Sequence, residues 1–277
     1  MKNTLKQIIL FTLITLSYIY IINNINYIKI NIINILKLSI NNIIPIIFPT
    51  LFITNILLNT KIPYIINKYL KINPIYILSI LTGSPTNAYM LNNYNIDKIK
   101  YLSLTNYPSL IFIYTYLNII FNKKISIILI VTNIISNIIL YFIIKPNKIT
   151  YNNINQLPIT LLIPESIKKS TTTTINIISS CMLYSILPTN LINNTYIKSL
   201  LLSITEITSS LNNLSNINIP LNIKLLFTII SISTTGLCIQ TQILSIINNI
   251  NMKEYIKNRL LHLVIYLLIN YIIFLLI

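Results

Sequence analysis

The side chains that could do chemistry are few and stand well apart. Among 277 residues there are four Asp and Glu together, one His and two Cys, so each acidic or nucleophilic group can be weighed singly. Glu206 lies between Leu200-Leu201-Leu202-Ser203-Ile204-Thr205 and Ile207-Thr208-Ser209-Ser210-Leu211, a setting within or near a membrane. An ionisable group at the centre of a membrane helix costs about 2.5–3.5 kcal/mol on insertion scales, so it faces a cavity or a partner. Two readings stand for Glu206: it binds a solute, cation or proton, or it pairs structurally with Lys198 or Lys224 near an interface. Ser84, Thr86 and Asn87, together with Gln240 and Gln242, supply neutral donors and acceptors. Such groups suit a polar, weakly charged solute better than a polyanion.

Other candidates read more quietly. Arg259 stands at an expected helix start, where it either snorkels to headgroups or meets Glu206 or an anionic solute as a charge partner. His262 reads as a packing residue with satisfied nitrogens rather than a proton relay. The hydroxyls of Ser170–Thr174 either line a pathway or bond preceding carbonyls of their own helix. Cys181 and Cys238 fall in hydrophobic stretches without a CxxC or His cluster, and read as buried inert thiols with no metal site. No Ser-His-Asp set, paired-acid motif or phosphate loop is present, so the chain does not read as an enzyme and no cofactor is expected.

The elements that must hold these residues belong in a bilayer. The chain is 54% hydrophobic and 9% charged, with a mean hydropathy of +0.74. A soluble domain carries roughly 25% charged residues. Apolar runs approaching the roughly twenty residues needed for a span recur at Ile8–Ile22, Ile40–Leu58, Ile125–Ile144 and Leu260–Ile277. Further spans are expected at 101–121, with Pro108 inside, at Glu165–Leu187, at Tyr196–Leu214 and at Leu221–Ile247. The first run follows MKNTLKQ without a small-residue cleavage site and reads as a retained helix or signal anchor. The net charge of +16 comes from lysines in nearly every polar break, as expected for headgroup anchors. No basic stripe forms, so the partner is a lipid bilayer and not nucleic acid. A homo-oligomer is left open.

Composition also marks which residues are informative. Heavy use of Ile, Asn, Lys and Tyr is the mark of an AT-rich genome, so single Asn residues carry little weight. Two Gly, one Ala and one Arg run against that bias. Gly83 ends the short apolar run Pro74–Leu81 and opens Ser84-Pro85-Thr86-Asn87-Ala88, after which a second short run begins. Two short helices around a Gly/Pro-containing break are the signature of a re-entrant or discontinuous helix, tolerated where it is buried in protein or lines a cavity. An ordinary interfacial loop is the alternative. Gly83, Pro85 and Gly236 would hold the broken backbone. Gly236 also ends an apolar run and precedes a short run, a charged cluster and a long span. This weak internal symmetry, Gly83 matching Gly236, points to a transporter-like site.

At these residues the chain resembles the YlbJ-type sporulation integral membrane proteins of the nucleoside-recognition, or Gate domain, group. Leu36–Pro45 through Phe48-Pro49 looks like the family's early segment. Gly83-Ser84-Pro85-Thr86-Asn87-Ala88 looks like its first gate motif, which places Ala88 in the gate backbone. Glu206-Ile207-Thr208 looks like its Glu-x-Thr element. Gly236-Leu237 with Gln242–Ile246, followed by Arg259-Leu260-Leu261-His262, looks like the second gate and the next helix. Two departures stand out: a glycine usual beside the Glu-x-Thr element is Ser209 or Ser210 here, and the paired glycine of the second gate is Thr235.

The expectation is an all-α, polytopic transmembrane helical bundle with two weak repeats, each bearing a discontinuous or re-entrant gate helix. Residues 1–34 would form an N-terminal helix and amphipathic linker, 35–150 the first gate repeat and 151–277 the second. The resemblance implies a cell or spore membrane protein needed for spore cortex formation, with distant kinship to solute carriers. A transporter or gated permease for a small polar solute is expected, and a non-transporting scaffold for cortex assembly is the alternative.

Overall fold

A computed structural model of the chain describes residues 2–70, 74–92, 97–146, 158–247 and 251–276, and every regular element among them is helical. The expected boundary at 150/151 lies outside the described residues, as do parts of the stretches 89–94 and 156–164.

Helix α1, Lys2–Asn23, leaves Ile8, Phe11, Leu16 and Tyr18 exposed and reaches the rest of the fold chiefly through α2, Ile25–Leu38. A π-helical turn at Ser39–Ile43 joins α2 to α3, Ile44–Leu58. The polar stretch read as a linker before a span at 40–58 is therefore part of one helical path of 34 residues, Ile25–Leu58. Its amphipathic spacing explains this, since Ile28 and Ile35 turn inward. Pro45 sits in the first positions of α3, where a missing N–H is tolerated. The expected boundary at 34/35 falls inside α2.

The expected loop after Leu58 contains α4, Ile62–Leu70. Next come α5, Pro74–Thr82, and α6, Thr86–Asn92, which fold back on each other. The single span expected at 101–121 is instead two helices, α7, Lys98–Thr105, and α8, Leu110–Ile120. Pro108 is the cause: it has no N–H to continue the ladder and disfavours helical backbone at the residue before it. Helix α9 runs Lys123–Ile144 and α10 runs Ile159–Ser185, a few residues ahead of its expected start.

The span expected at 196–214 also splits, into α11, Thr195–Thr205, and α12, Ile207–Asn216, with Glu206 alone between them. These two form a hairpin, because Ser203 Oγ lies 3.2 Å from Ser210 Oγ and Asn213 donates to Ser199 Oγ at 2.9 Å. The stretch 221–247 holds α13, Leu221–Thr234, and α14, Gly236–Ile246. Helix α15 spans Met252–Leu276 and starts eight residues before the expected Leu260.

Five of these helical stretches are long and apolar enough to cross a membrane: Lys6–Asn23, Ile25–Leu58, Lys123–Ile144, Leu221–Ile246 and Met252–Leu275. Their faces are arranged for lipid. On α9 the buried side carries Ser126, Thr132, Asn133, Ser136 and Asn137 beside Leu129 and Leu140, while Ile127, Val131, Ile135, Ile138 and Phe142 point outward. On α15 the buried side carries Asn258, Arg259, His262, Tyr266 and Asn270 at close to one turn's spacing, with Leu260, Val264, Leu268 and Ile272 outside. A polar inside and an apolar outside make sense only where the surrounding solvent is hydrocarbon. The polar sides meet: Thr132 donates to Asn270 at 3.1 Å and Ser136 lies 2.8 Å from His262 Nε2. Apolar packing of Ile113, Leu117, Leu129, Leu225, Ile229 and Tyr266 fills the remainder of this interface between α8, α9, α13 and α15.

Candidate functional site

Two helix turns and two helix breaks come together in the interior. The first turn, Gly83-Ser84-Pro85 between α5 and α6, lies against the break between α7 and α8. Ser84 N donates to Tyr107 O at 2.7 Å, and a Cβ on Gly83 would stand 2.6 Å from both Tyr107 O and Ser109 N. With φ of +67°, the position suits glycine on both counts. The second turn, Glu206 between α11 and α12, lies against the break between α13 and α14. A Cβ on Gly236 would stand 2.9 Å from Thr205 O and 3.1 Å from Glu206 N, and Gly236 has φ of +76°. The two glycines thus occupy unlike elements, one in a hairpin turn and one in a broken helix.

Asn106 ties these parts together. Its Oδ1 accepts from Ser84 Oγ, while its Nδ2 donates to Thr235 Oγ1 at 3.1 Å and to the hydroxyl of Tyr255 on α15. Asn106 is fully buried. Asn is common throughout the chain, so composition does not single Asn106 out; the signal that marks it is its place two residues before Pro108.

Glu206 is 1% exposed, and its carboxylate accepts from Thr208 N at 2.8 Å and Ser209 N at 2.5 Å. It is therefore the N-cap of α12, satisfying orphan donors at the positive end of the helix. Among the described residues it forms no ion pair with Lys198, Lys224 or Arg259. Depth follows from its neighbours. The path Leu221–Ile246 has 14 residues before Thr235 and 11 after it, so the break and the Glu206 turn against it sit near the middle of a span.

A cavity opens where these parts meet; its wall is largely apolar, with Ile43, Ile46, Ile47, Phe112, Ile177 and Ile239, and its polar groups include Asn42, Thr50, Ser84, Thr86, Ser109, Glu206, Thr208 and Gln242 beside Cys181 and Cys238, with no Lys or Arg in the lining among the described residues. Four of the six expected solute ligands, Ser84, Thr86, Glu206 and Gln242, line it. Asn87 is instead committed to the Thr105 carbonyl at 2.8 Å and the Thr105 hydroxyl at 3.0 Å. Gln240 faces a separate recess with Gly236 and Arg259 and donates to Thr234 O at 3.0 Å. Ala88 packs fully buried in the apolar cluster beside the turn.

Arg259 neither reaches headgroups nor meets Glu206. It is two turns into α15 and buried, and its guanidinium donates to Ser103 O at 2.8 Å and to Ser233 O. These carbonyls belong to the last turns of α7 and α13, the negative ends of the helices interrupted by the breaks. Buried helix ends here therefore meet opposite charges: Glu206 on the N-terminus of α12 and Arg259 on the C-terminal turns of α7 and α13. His262 bridges Ser136 through Nε2 and Ser233 through Nδ1, each at 2.8 Å, which fits the packing role. Ser170–Thr174 bond carbonyls one turn back in α10, and Ser170 also accepts from Asn55 of α3 at 3.0 Å.

The two cysteines, 57 residues apart, lie with their sulfurs 3.8 Å from each other on α10 and α14, both buried and unbridged. No spacing motif announces that contact. No family model, curated protein or solved structure matches the chain.

Proposed function

We propose that this chain is a membrane carrier or gated permease for a small polar solute, built from two repeats, and that it belongs with the YlbJ-type sporulation proteins of the nucleoside-recognition group in serving spore cortex formation. In this reading one repeat is the series α5 to α9 and the other α11 to α15. Each runs as a hairpin, a broken helix and a long helix. This register sets the Gly83 turn opposite the Glu206 turn, and the break at Asn106 opposite the break at Thr235.

The single observation that carries the reading is the cavity bounded by both turns and the α7–α8 break, with α14, which follows the second break, along its wall. Irregular backbone at membrane depth is tolerated where it is buried in protein or lines a water-filled cavity. A scaffold has no need of it. The N-terminal ends of α8 and α12 open onto the cavity through Ser109, Glu206 and Thr208, while Ser84, Thr86 and Gln242 add neutral groups. With the α12 end already capped by a carboxylate, the remaining groups suit a polar solute without strong negative charge.

Uptake and efflux in proteoliposomes, across a panel of small spore solutes, test this proposal with the intact chain and Glu206→Gln. Flux that the substitution abolishes while helical content is kept supports a carrier with Glu206 on its path. Absence of flux for every solute, with a cortex protein recovered by pull-down, would replace the proposal by the scaffold.

A further inference from the structure

We propose that Cys181, Glu206 and Cys238 form a binding site for one soft or borderline divalent cation of the Zn²⁺ class at the inner wall of the cavity. Among the described residues these three are a cluster whose ligand atoms all lie within 4.8 Å of one another, and all three are buried. They come from three separate elements: α10, the turn between α11 and α12, and α14.

The two thiols, in hydrogen-bond contact here, already stand at a separation that a metal can bridge. Two metal–sulfur bonds of about 2.3 Å at a tetrahedral angle place their sulfurs roughly 3.8 Å apart. The observed separation is 3.8 Å. A disulfide would need about 2.05 Å. A fourth donor stands beside the cluster. Gln242, one helical turn after Cys238, lines the same cavity at 3% exposure; its Nε2 is 3.3 Å from Cys238 Sγ, and its Oε1 has no hydrogen-bond partner. The amide end at the sulfur is the nitrogen; a half-turn about the last side-chain bond exchanges the two ends and would bring the unpartnered oxygen to the cluster as a fourth donor.

Charge and ligand type select the cation. Among the described residues the cavity lining contains no Lys or Arg to neutralise Glu206. Two sulfur donors disfavour Mg²⁺ and Ca²⁺, which take oxygen ligands, and favour thiophilic ions. On binding, the two thiols release their protons to solvent and two metal–sulfur bonds form, with no change of oxidation state. A bound ion would pin α10 and α14 to the Glu206 turn. The site is independent of whether the chain transports a solute.

Cd²⁺ titration of the full chain in detergent, with thiols reduced beforehand, tests the site through the near-ultraviolet sulfur-to-cadmium charge-transfer band. The expected result is saturation at one Cd²⁺ per chain with two-sulfur intensity. Since the chain has only two Cys, each of Cys181→Ser and Cys238→Ser should halve the band. Glu206→Gln should keep its intensity while weakening affinity at least about ten-fold. X-ray absorption on the Zn²⁺-loaded intact chain, which depends on no variant, should count two sulfurs and lighter donors. One sulfur or none in that spectrum, no charge-transfer band, or an affinity indifferent to Glu206→Gln would overturn the proposal. None of these readings requires flux, so a failed metal site and a failed carrier remain distinguishable.

Discussion

Asn106 and Thr235 stand 129 residues apart, and the amide of one donates to the hydroxyl of the other at 3.1 Å. Through this contact the break between α7 and α8 is fastened to the break between α13 and α14. Asn106 also holds Ser84 in the first turn and Tyr255 on α15. A buried network in which every member is bonded specifies one arrangement; removing a shared member takes a bond from each of the others. Asn106→Leu leaves three hydroxyls without this partner. Thr235 keeps its bond to Thr234 O, so the fold should lose about 1–3 kcal/mol, the cost of a buried orphan. Thermal unfolding in detergent should show a clear fall in Tm, whereas Thr115→Ala, on the exposed face of α8, should change it little.

The glycines should rank by what surrounds them. At Gly83 a Cβ would press on backbone atoms at 2.6 Å, and at Gly236 the nearest backbone atom is at 2.9 Å. Both have positive φ, which costs a non-glycine residue roughly 1–2 kcal/mol. Gly83→Ala should therefore lower folded yield more than Gly236→Ala, as read by size-exclusion of the detergent-solubilised chain. Equal yields would mean that the α7–α8 break moves aside at little cost.

Much of this site was legible in the sequence, and the reasons differ by residue. Scarcity made Gly83, Gly236 and Glu206 visible, and the lengths of apolar runs gave the membrane helices. The split of 101–121 was signalled by Pro108, yet a proline inside a membrane helix is also compatible with an unbroken span. The split at Glu206 has no Gly or Pro to mark it, because Leu200–Leu211 mixes apolar and hydroxyl residues around one carboxylate. The roles of Asn106 and of the Cys181–Cys238 contact depend on which distant segments pack together, and hydrophobic periodicity does not carry that.

Thr235 holds φ of +58°, an outlier for a β-branched residue in a conformation that glycine adopts freely. Its hydroxyl accepts from Asn106 and donates to Thr234 O at 2.6 Å. Thr235→Gly relieves a strain of about 1–3 kcal/mol while losing a hydrogen bond worth about 1 kcal/mol, so Tm should stay level or rise. Thr235→Val keeps the strain and loses the hydroxyl, and Tm should fall. The opposite order would show that the Asn106 bond outweighs the backbone conformation.

Arg259 offers the sharpest separation of charge from shape. Its planar fork reaches Ser103 O and Ser233 O together, joining the C-terminal ends of α7 and α13. Lysine carries the same charge on a single compact ammonium that lacks the fork. Arg259→Lys should retain one carbonyl and lose the other, destabilising by at least about 1.5 kcal/mol, the lower value for a hydrogen bond to a charged group. Arg259→Met should cost more, because both terminal carbonyls lose a charged donor while facing the negative ends of two helices. Hydrogen exchange at the last turns of α7 and α13 should rise in both variants, and in Arg259→Met at both helices. A rise confined to α15 would mean that Arg259 fills space there and does not hold the breaks.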